Sequence, residues 1–500
     1  MIGPGLRGGL VVTGTTSDAG KSFVVAGLCR LLARRGVAVA PFKAQNMALN
    51  AAVTAGGAEI GHAQWVQAVA AGVEPEAAMN PILLKPTGER ASQVVLMGRP
   101  TGVMAAAEYH TAKTGLWPVV LDALADLRSR FDVVVCEGAG SPAEINLLDG
   151  DLVNLPLARR AGLPAVVVGD IDRGGVFAAL YGTVAVLPDD LRATVRGFVV
   201  NRLRGDPALL GDACADLERR CGVPTLGVVP HLGVADIDNE DSLALDRADP
   251  APAGDGDVID VAALRWPRVS NAGDLDPLRL EAGVQVRWVR SVAELGRPDL
   301  VVLPGSKDTR GDLAWFRRTG LAAAVERSDA AVVAVCAGLQ MAGDRVDDPG
   351  GVEGPPGTGK GLGWLAVATD FRGDKVLDRP AGRAESGPGR GTDVAGYRIH
   401  HGRVQASGAV APWMVAAGGE ILGWHDGGRV AGTTLHGLFE RDAFRAGVLG
   451  WAAARSGKAW APTGVDFAAI RLARLDRIAD ALETHLDLDR VAALIAEGAP

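Results

Sequence analysis

The stretch Gly14-Thr-Thr-Ser-Asp-Ala-Gly-Lys-Ser22 follows a short apolar run, Gly9–Thr13, and opens a helical stretch, Lys21–Arg35. A glycine-rich turn between a buried strand and a helix admits few folds, because the chain must cross back to extend a parallel sheet. The glycines let backbone N–H groups turn inward around phosphate oxygens, and the helix N-terminus adds positive partial charge. Gly14, Thr15, Asp18, Gly20, Lys21 and Ser22 are therefore the expected nucleotide-binding residues. Lys21 would reach the β- and γ-phosphates, and the Ser22 hydroxyl would ligate Mg²⁺. The loop is one residue longer than the common Gly-x-x-x-x-Gly-Lys-Ser spacing.

The next 200 or so residues keep the same rhythm. Apolar runs at Val37–Phe42, Asp132–Cys136, Ala165–Gly169, Gly197–Asn201 and Thr225–Val229 alternate with helical stretches such as Pro118–Arg130. Continuous apolar runs separated by helices predict a parallel sheet covered on both faces. Residues at the carboxyl ends of such strands face one crevice. Glu137, at the end of one run, is the expected metal carboxylate, with Glu59 and Asp170 as alternatives. Lys43, just past the second run, is expected to face the nucleotide as well.

Five hundred residues exceed what one core supports, since domains usually hold about 50–200. The Pro-, Gly- and Asp-rich stretch 246–257 predicts a linker between an N-terminal domain, 1–245, and a second α/β domain, 258–455. In the second domain, strands are expected at Val258–Leu264, Val284–Val289, Leu300–Leu303 and Ala331–Val335. The Gly- and Pro-rich stretches Asp347–Lys360 and Arg379–Thr392 read as exposed loops. Residues 456–500 read as a helical segment packed through Phe467, Ile470, Leu472 and Leu475.

Val332-Val-Ala-Val-Cys336-Ala-Gly-Leu-Gln340 reads as strand, sharp turn, helix, an elbow that exposes a nucleophile. The backbone N–H groups of Ala337 and of Gly305, which ends another strand, are candidates for an oxyanion hole. A nucleophilic thiol needs a base. His436, in Gly432-Thr-Thr-Leu-His-Gly-Leu-Phe439, competes for that role with His400 and His401.

The formal net charge of −8 argues against a nucleic-acid binder. No apolar run is long enough to cross a membrane, and no export signal is apparent. Five cysteines without Cys-x-x-Cys spacing suggest neither a disulfide framework nor a zinc site, so a cytoplasmic location is expected.

Taken in order, several segments resemble those of the cobyric acid synthase family over nearly the whole chain. They include Pro41-Phe-Lys-Ala-Gln-Asn-Met47, Glu59-Ile-Gly-His-Ala-Gln64, Glu137-Gly-Ala-Gly-Ser-Pro-Ala-Glu-Ile-Asn146, Ser270-Asn271, Pro304-Gly-Ser-Lys-Asp-Thr309 and Leu435-His-Gly-Leu-Phe439. The resemblance implies an N-terminal phosphate-loop domain of the dethiobiotin synthetase type. It implies a C-terminal α/β domain of the class I glutamine amidotransferase type. It also implies the activity: ATP with Mg²⁺, as substrates rather than prosthetic groups, activates corrinoid carboxylates, and ammonia from glutamine amidates them. Cys336 becomes the nucleophile and His436 its base, and Gln45, Asn46, Asp149 and Asp151 become candidate substrate contacts. Ala337 stands where the family has glycine, so its Cβ is expected to crowd the elbow. Arg398 replaces a glutamate, His62 replaces an arginine, and Leu438 stands where many class I triads carry glutamate. A Cys–His pair is therefore expected, with Glu440 as a distant orienter. Two rival readings are the sister enzyme cobyrinic acid a,c-diamide synthase and an ATPase switch of the ParA/MinD type.

Overall fold

The computed structural model describes residues 2–88, 90–233 and 257–498, which form two compact units. One comprises 2–47, 60–233 and 471–498, and the other 48–59 and 257–470. Apart from Asp257, the expected linker lies outside the described residues.

The first unit is built on a six-stranded, all-parallel sheet. Its order is Thr225–Pro230, Val195–Leu203, Ala165–Asp170, Gly8–Gly14, Val133–Glu137, Val39–Phe42. Chain order reverses on either side of Gly8–Gly14, so a crevice opens at its carboxyl end, where the glycine-rich loop begins. Val11, Val12, Val133, Val134, Val135, Val167 and Val168 are almost wholly buried, as a sheet covered on both faces requires. A smaller four-stranded sheet carries Gln45–Met47, Ile82–Pro86, Ala91–Leu96 and Arg99–Ala105.

The helix Lys21–Arg34 is clamped by the C-terminal helix Phe467–His485. A Cβ on Gly27 would lie 2.5 Å from Leu482 Cδ1 and 2.7 Å from Ile478 Cγ2, so only glycine allows this approach. Along the edge of the contact Arg30 forks onto Asp476 at 2.8 and 3.1 Å, and Arg35 meets Glu483 at 2.6 Å. Of the apolar face expected here, Phe467 and Leu475 are buried but Leu472 is 38% exposed. The stripe that faces the core is Leu475, Ile478, Ala479 and Leu482, one helical face of period 3.6.

The second unit holds a nine-stranded mixed sheet whose parallel part runs Val284–Val289, Ile259–Leu264, Leu300–Leu303, Ala331–Val335, Val430–Thr433. Apolar clusters cover both of its faces. The two stretches read as loops also contribute strands, Gly357–Lys360 and Ala381–Ala384. Gly382 makes the second pairing possible, because a Cβ there would sit 2.0 Å from Val415 O. Arg398 is accounted for by its bonds to Asp378 and Glu420, which keep its guanidinium charged despite burial. His62, in the first unit, stacks on Trp65 with ring centroids 5.8 Å apart. Among the described residues no helix is long and apolar enough to cross a membrane.

Arg445 is wholly buried in the second unit, donating to Glu281 at 2.7 Å and to the carbonyls of Phe439 and Val465. Arg445→Ala strands the 4% exposed Glu281 without its partner. Removing one partner of a buried ion pair costs about 3–5 kcal/mol. Chemical denaturation monitored by Trp fluorescence should show a loss of that size for the transition of this unit.

Candidate active sites

In the first unit the loop between the first strand and its helix is shaped by its glycines. Gly20 sits at φ +102°, and a Cβ there would lie 2.0 Å from Asn201 Nδ2, which donates to Ala19 O. A Cβ on Gly14 would lie 3.1 Å from both Ala19 and Lys21. Thr15 N donates to Val168 O at 2.9 Å, tying the loop to the neighbouring strand. The Lys21 ammonium is only 4% exposed and donates to the carbonyls of Thr16, Ser17 and Gly140 at 2.9, 2.9 and 3.1 Å. It therefore stands in the mouth of the loop, where a phosphate would displace weaker neutral acceptors. Asp18 lies on the rim, paired with Arg173 at 2.8 Å.

Glu137 ends the strand Val133–Glu137 and is the hub of this site. Its Oε1 accepts from Lys43 Nζ at 2.8 Å and from Ser22 Oγ at 3.0 Å, and its Oε2 accepts from Gln67 Nε2. Sequence reasoning missed Gln67, a residue in the middle of the helix His62–Ala71 that carries no local signature. For a magnesium ion, a carboxylate and a hydroxyl within hydrogen-bond reach of each other form a fitting pair of hard oxygen donors beside a phosphate loop. Of the alternatives, Asp170 Oδ2 is bound to Arg202 at 2.7 Å. Glu59 belongs to the second unit, where its buried carboxylate pairs with Lys375 Nζ at 2.6 Å.

The candidate substrate residues have distinct settings. Gln45 Oε1 accepts from Tyr109 OH at 2.6 Å, and buried Asn46 donates to Gln64 Oε1 at 3.0 Å. Asp151 serves the chain itself, its Oδ1 accepting from Val153 N and Asn154 N at 2.8 and 3.0 Å. Asp149 is exposed.

In the second unit Cys336 lies at φ +52°, ψ −108°, one of four non-glycine residues among those described with positive φ. Such backbone strain costs about 1–3 kcal/mol and is kept where a sharp turn must present a side chain. The Ala337 methyl does not crowd this turn. It packs into the apolar core at 1% exposure, and the tight position is Gly338, where a Cβ would lie 2.1 Å from Leu303 O. The helix after the elbow has only six residues, Ala337–Ala342. Gly305 lies opposite: a Cβ there would sit 2.9 Å from His436 Cε1.

His436 is 1% exposed, and its Nδ1 meets Asp274 Oδ2 at 2.7 Å. Asp274 Oδ1 accepts from Gly437 N at 2.7 Å, so both carboxylate oxygens fix the histidine segment. The Tyr397 ring stacks on the imidazole at 5.5 Å between centroids, and the two backbones exchange hydrogen bonds. With Nδ1 engaged, Nε2 is the ring nitrogen left for the Cys336 sulfur, whose proximity helps to raise the ring's pKa. The carboxylate bonded to the His436 ring is thus that of Asp274. Sequence reasoning missed it although Ser270-Asn271, just upstream, had been singled out. His400 and His401 instead turn Nδ1 to the carbonyls of Gly402 and Arg372, and burial pushes them down to about 3 and about 4.

Burial alone would lower the pKa of His436, but the Asp274 carboxylate and the Cys336 sulfur outweigh it and push it up to about 10. The imidazole proton is therefore held across the neutral range. A raised folded value means that its contribution to stability is complete below the ordinary 6.5 and is lost as the pH climbs through about 10. In Asp274→Asn the imidazolium loses its counter-charge. An NMR titration of the His436 ring should then show a midpoint at least about one unit lower than in the unaltered chain.

Two family models match the chain. A CobQ/CobB/MinD/ParA nucleotide-binding domain covers residues 10–243, and a CobB/CobQ-like glutamine amidotransferase domain covers residues 260–444. Among curated relatives, cobyric acid synthases from Frankia casuarinae and Nocardia farcinica are 48% and 49% identical to it, each alignment covering 99% of this chain and 98% of the relative. The cobyric acid synthase of Rhodococcus jostii is 49% identical over 99% of this chain and 96% of its own length. Matches of this extent across both units show that the chain belongs to the cobyric acid synthase family.

Proposed function

We propose that the chain catalyses the ATP- and glutamine-dependent amidation of four side-chain carboxylates of adenosylcobyrinic acid a,c-diamide. The observation that carries this reading is a pair of complementary sites in one chain. One gathers Lys21, Ser22, Lys43 and Glu137 around a phosphate loop, and the other holds a strained cysteine against a carboxylate-bound imidazole.

In the first site the loop N–H groups and Lys21 hold the ATP phosphates, and Lys43 faces the charge that develops as the γ-phosphoryl group moves to a substrate carboxylate. Mg²⁺ held by Ser22 and Glu137 would supply further neutralisation of that charge. Phosphorylation matters because a bare carboxylate repels nucleophiles and has no leaving group. Ammonia then displaces phosphate from the acyl phosphate and leaves an amide.

In the second site the Cys336 thiolate attacks the side-chain amide carbon of glutamine. The N–H groups of Gly305 and Ala337 receive the oxyanion, and His436 passes its proton to the departing ammonia. Water, deprotonated by the same ring, releases glutamate from the thioester. Asp274 keeps the ring oriented through the cycle. Free thiols and ATP both suit the cytoplasm, where this reading sets the reaction.

Cys336→Ser should lower glutamine-driven amidation by at least about a thousandfold while ammonium salts still support it. Lys21→Ala should abolish both routes, and EDTA should do the same reversibly. Product mass read after supplying the diamide should rise by four amidations. Two amidations of cobyrinic acid, with none of the diamide, would instead assign the sister activity.

A further inference from the structure

The segment 48–59 comes from the first half of the sequence, yet it folds as part of the second unit. It is not a loose strap. Asn50, Ala51, Ala52, Val53 and Thr54 are each at most 4% exposed. Its turn is closed by Thr54 N donating to Ala58 O at 2.8 Å and Ala58 N to Thr54 Oγ1 at 3.1 Å. Its far end is pinned by the buried Glu59–Lys375 pair.

Its near end grips two consecutive residues, Asn271 and Ala272, beside His436's carboxylate partner. Ala51 N donates to Asn271 Oδ1 at 3.1 Å, and Asn50 Oδ1 accepts from Ala272 N at 3.3 Å. Asn271 is 4% exposed and lies at φ +53°, a conformation asparagine tolerates better than most residues. Its Nδ2 donates to Tyr397 OH at 3.3 Å, and its carbonyl accepts from Asp274 N at 3.0 Å. The residue before it, Ser270, pairs with Gly305. Asn271 is therefore joined to the acid that orients His436, to the ring stacked on His436, and to the strand that presents Gly305.

We propose that Asn50 and Asn271 are positioning residues for glutamine hydrolysis, through which the segment 48–59 sets the Asp274 turn against His436. The segment continues directly into the strand Gln45–Met47 on one side and the helix His62–Ala71 on the other. The helix carries Gln67, which holds Glu137. The hydrolytic centre is thus completed by a piece of chain whose two ends belong to the nucleotide unit.

The inference rests on the glutaminase reading above, and the full-length chain tests the two separately. Absence of glutamate release from the unaltered protein would overturn that reading. With release established, steady-state kinetics would be measured for Asn50→Ala, Asn50→Asp and Asn271→Gly. Asn271→Gly keeps the left-handed backbone accessible while removing both side-chain bonds. Asn50→Ala and Asn271→Gly should lower kcat for glutamine hydrolysis about tenfold or more with KM within about twofold. His436 faces Asp274, Cys336, Tyr397 and His400; Asn50→Ala loosens the Asp274 turn, and Asn271→Gly loosens that turn and the Tyr397 hydroxyl, so in both the alkaline limb of the pH–rate profile should move to lower pH as the Asp274 carboxylate draws away. Asn50→Asp retains the acceptor and should recover to within about threefold of the unaltered rate. Ammonium-driven amidation should stay within about twofold throughout. Unchanged kcat and pH profile in both deletions, or an equal fall in the ammonium route, would overturn the proposal.

Discussion

Asp274 governs the second unit's chemistry because it settles where one proton resides. An imidazole as buried as His436 would normally shed its proton, as burial makes His400 and His401 do. A carboxylate 2.7 Å from Nδ1 reverses that balance and leaves Nε2 to face a sulfur. The same carboxylate fixes Gly437 N, so orientation and charge come from one side chain. The positive φ at Cys336 and the close approaches at Gly305 and Gly338 then make sense as what lets the elbow turn sharply beside that ring.

The first unit meets a different electrostatic need with the same economy. Two lysines and a carboxylate lie buried at the carboxyl edge of a parallel sheet. Lys43 neutralises Glu137, while Lys21 rests on carbonyls that a phosphate outcompetes. The nucleotide half is thus poised for anions, and the hydrolytic half for a neutral amide. Membership of the cobyric acid synthase family joins the two in a single reaction.

Much of this was legible in the sequence because its signals are local. The loop Gly14–Ser22 and the elbow at Cys336 are each carried by about nine consecutive residues, and the valine-rich runs announce the parallel strands at nearly their observed bounds. What escaped was non-local. Asp274 and His436 are 162 positions apart, and nothing in either segment names the other. The attachment of residues 48–59 to the second unit depends on bonds from Ala51 N to Asn271 Oδ1 and from Ala272 N to Asn50 Oδ1 that no periodicity encodes. Leu472 is exposed because it stands about 140° around the helix from Phe467, off the stripe that continues through Leu475, Ile478, Ala479 and Leu482. The elbow's steric demand was assigned to Ala337, whereas the close approach of Leu303 O falls on Gly338.

The claim on which the account turns is that the Cys336 sulfur becomes covalently bonded to the glutamyl group. Acid-quenching the full-length protein during turnover of isotope-labelled glutamine, followed by peptide mass spectrometry, reads this directly. The expected result is a γ-glutamyl thioester on the peptide containing Cys336, absent from Cys336→Ala. Steady glutamate release with no label on that peptide, or with equal release from Cys336→Ala, would contradict it.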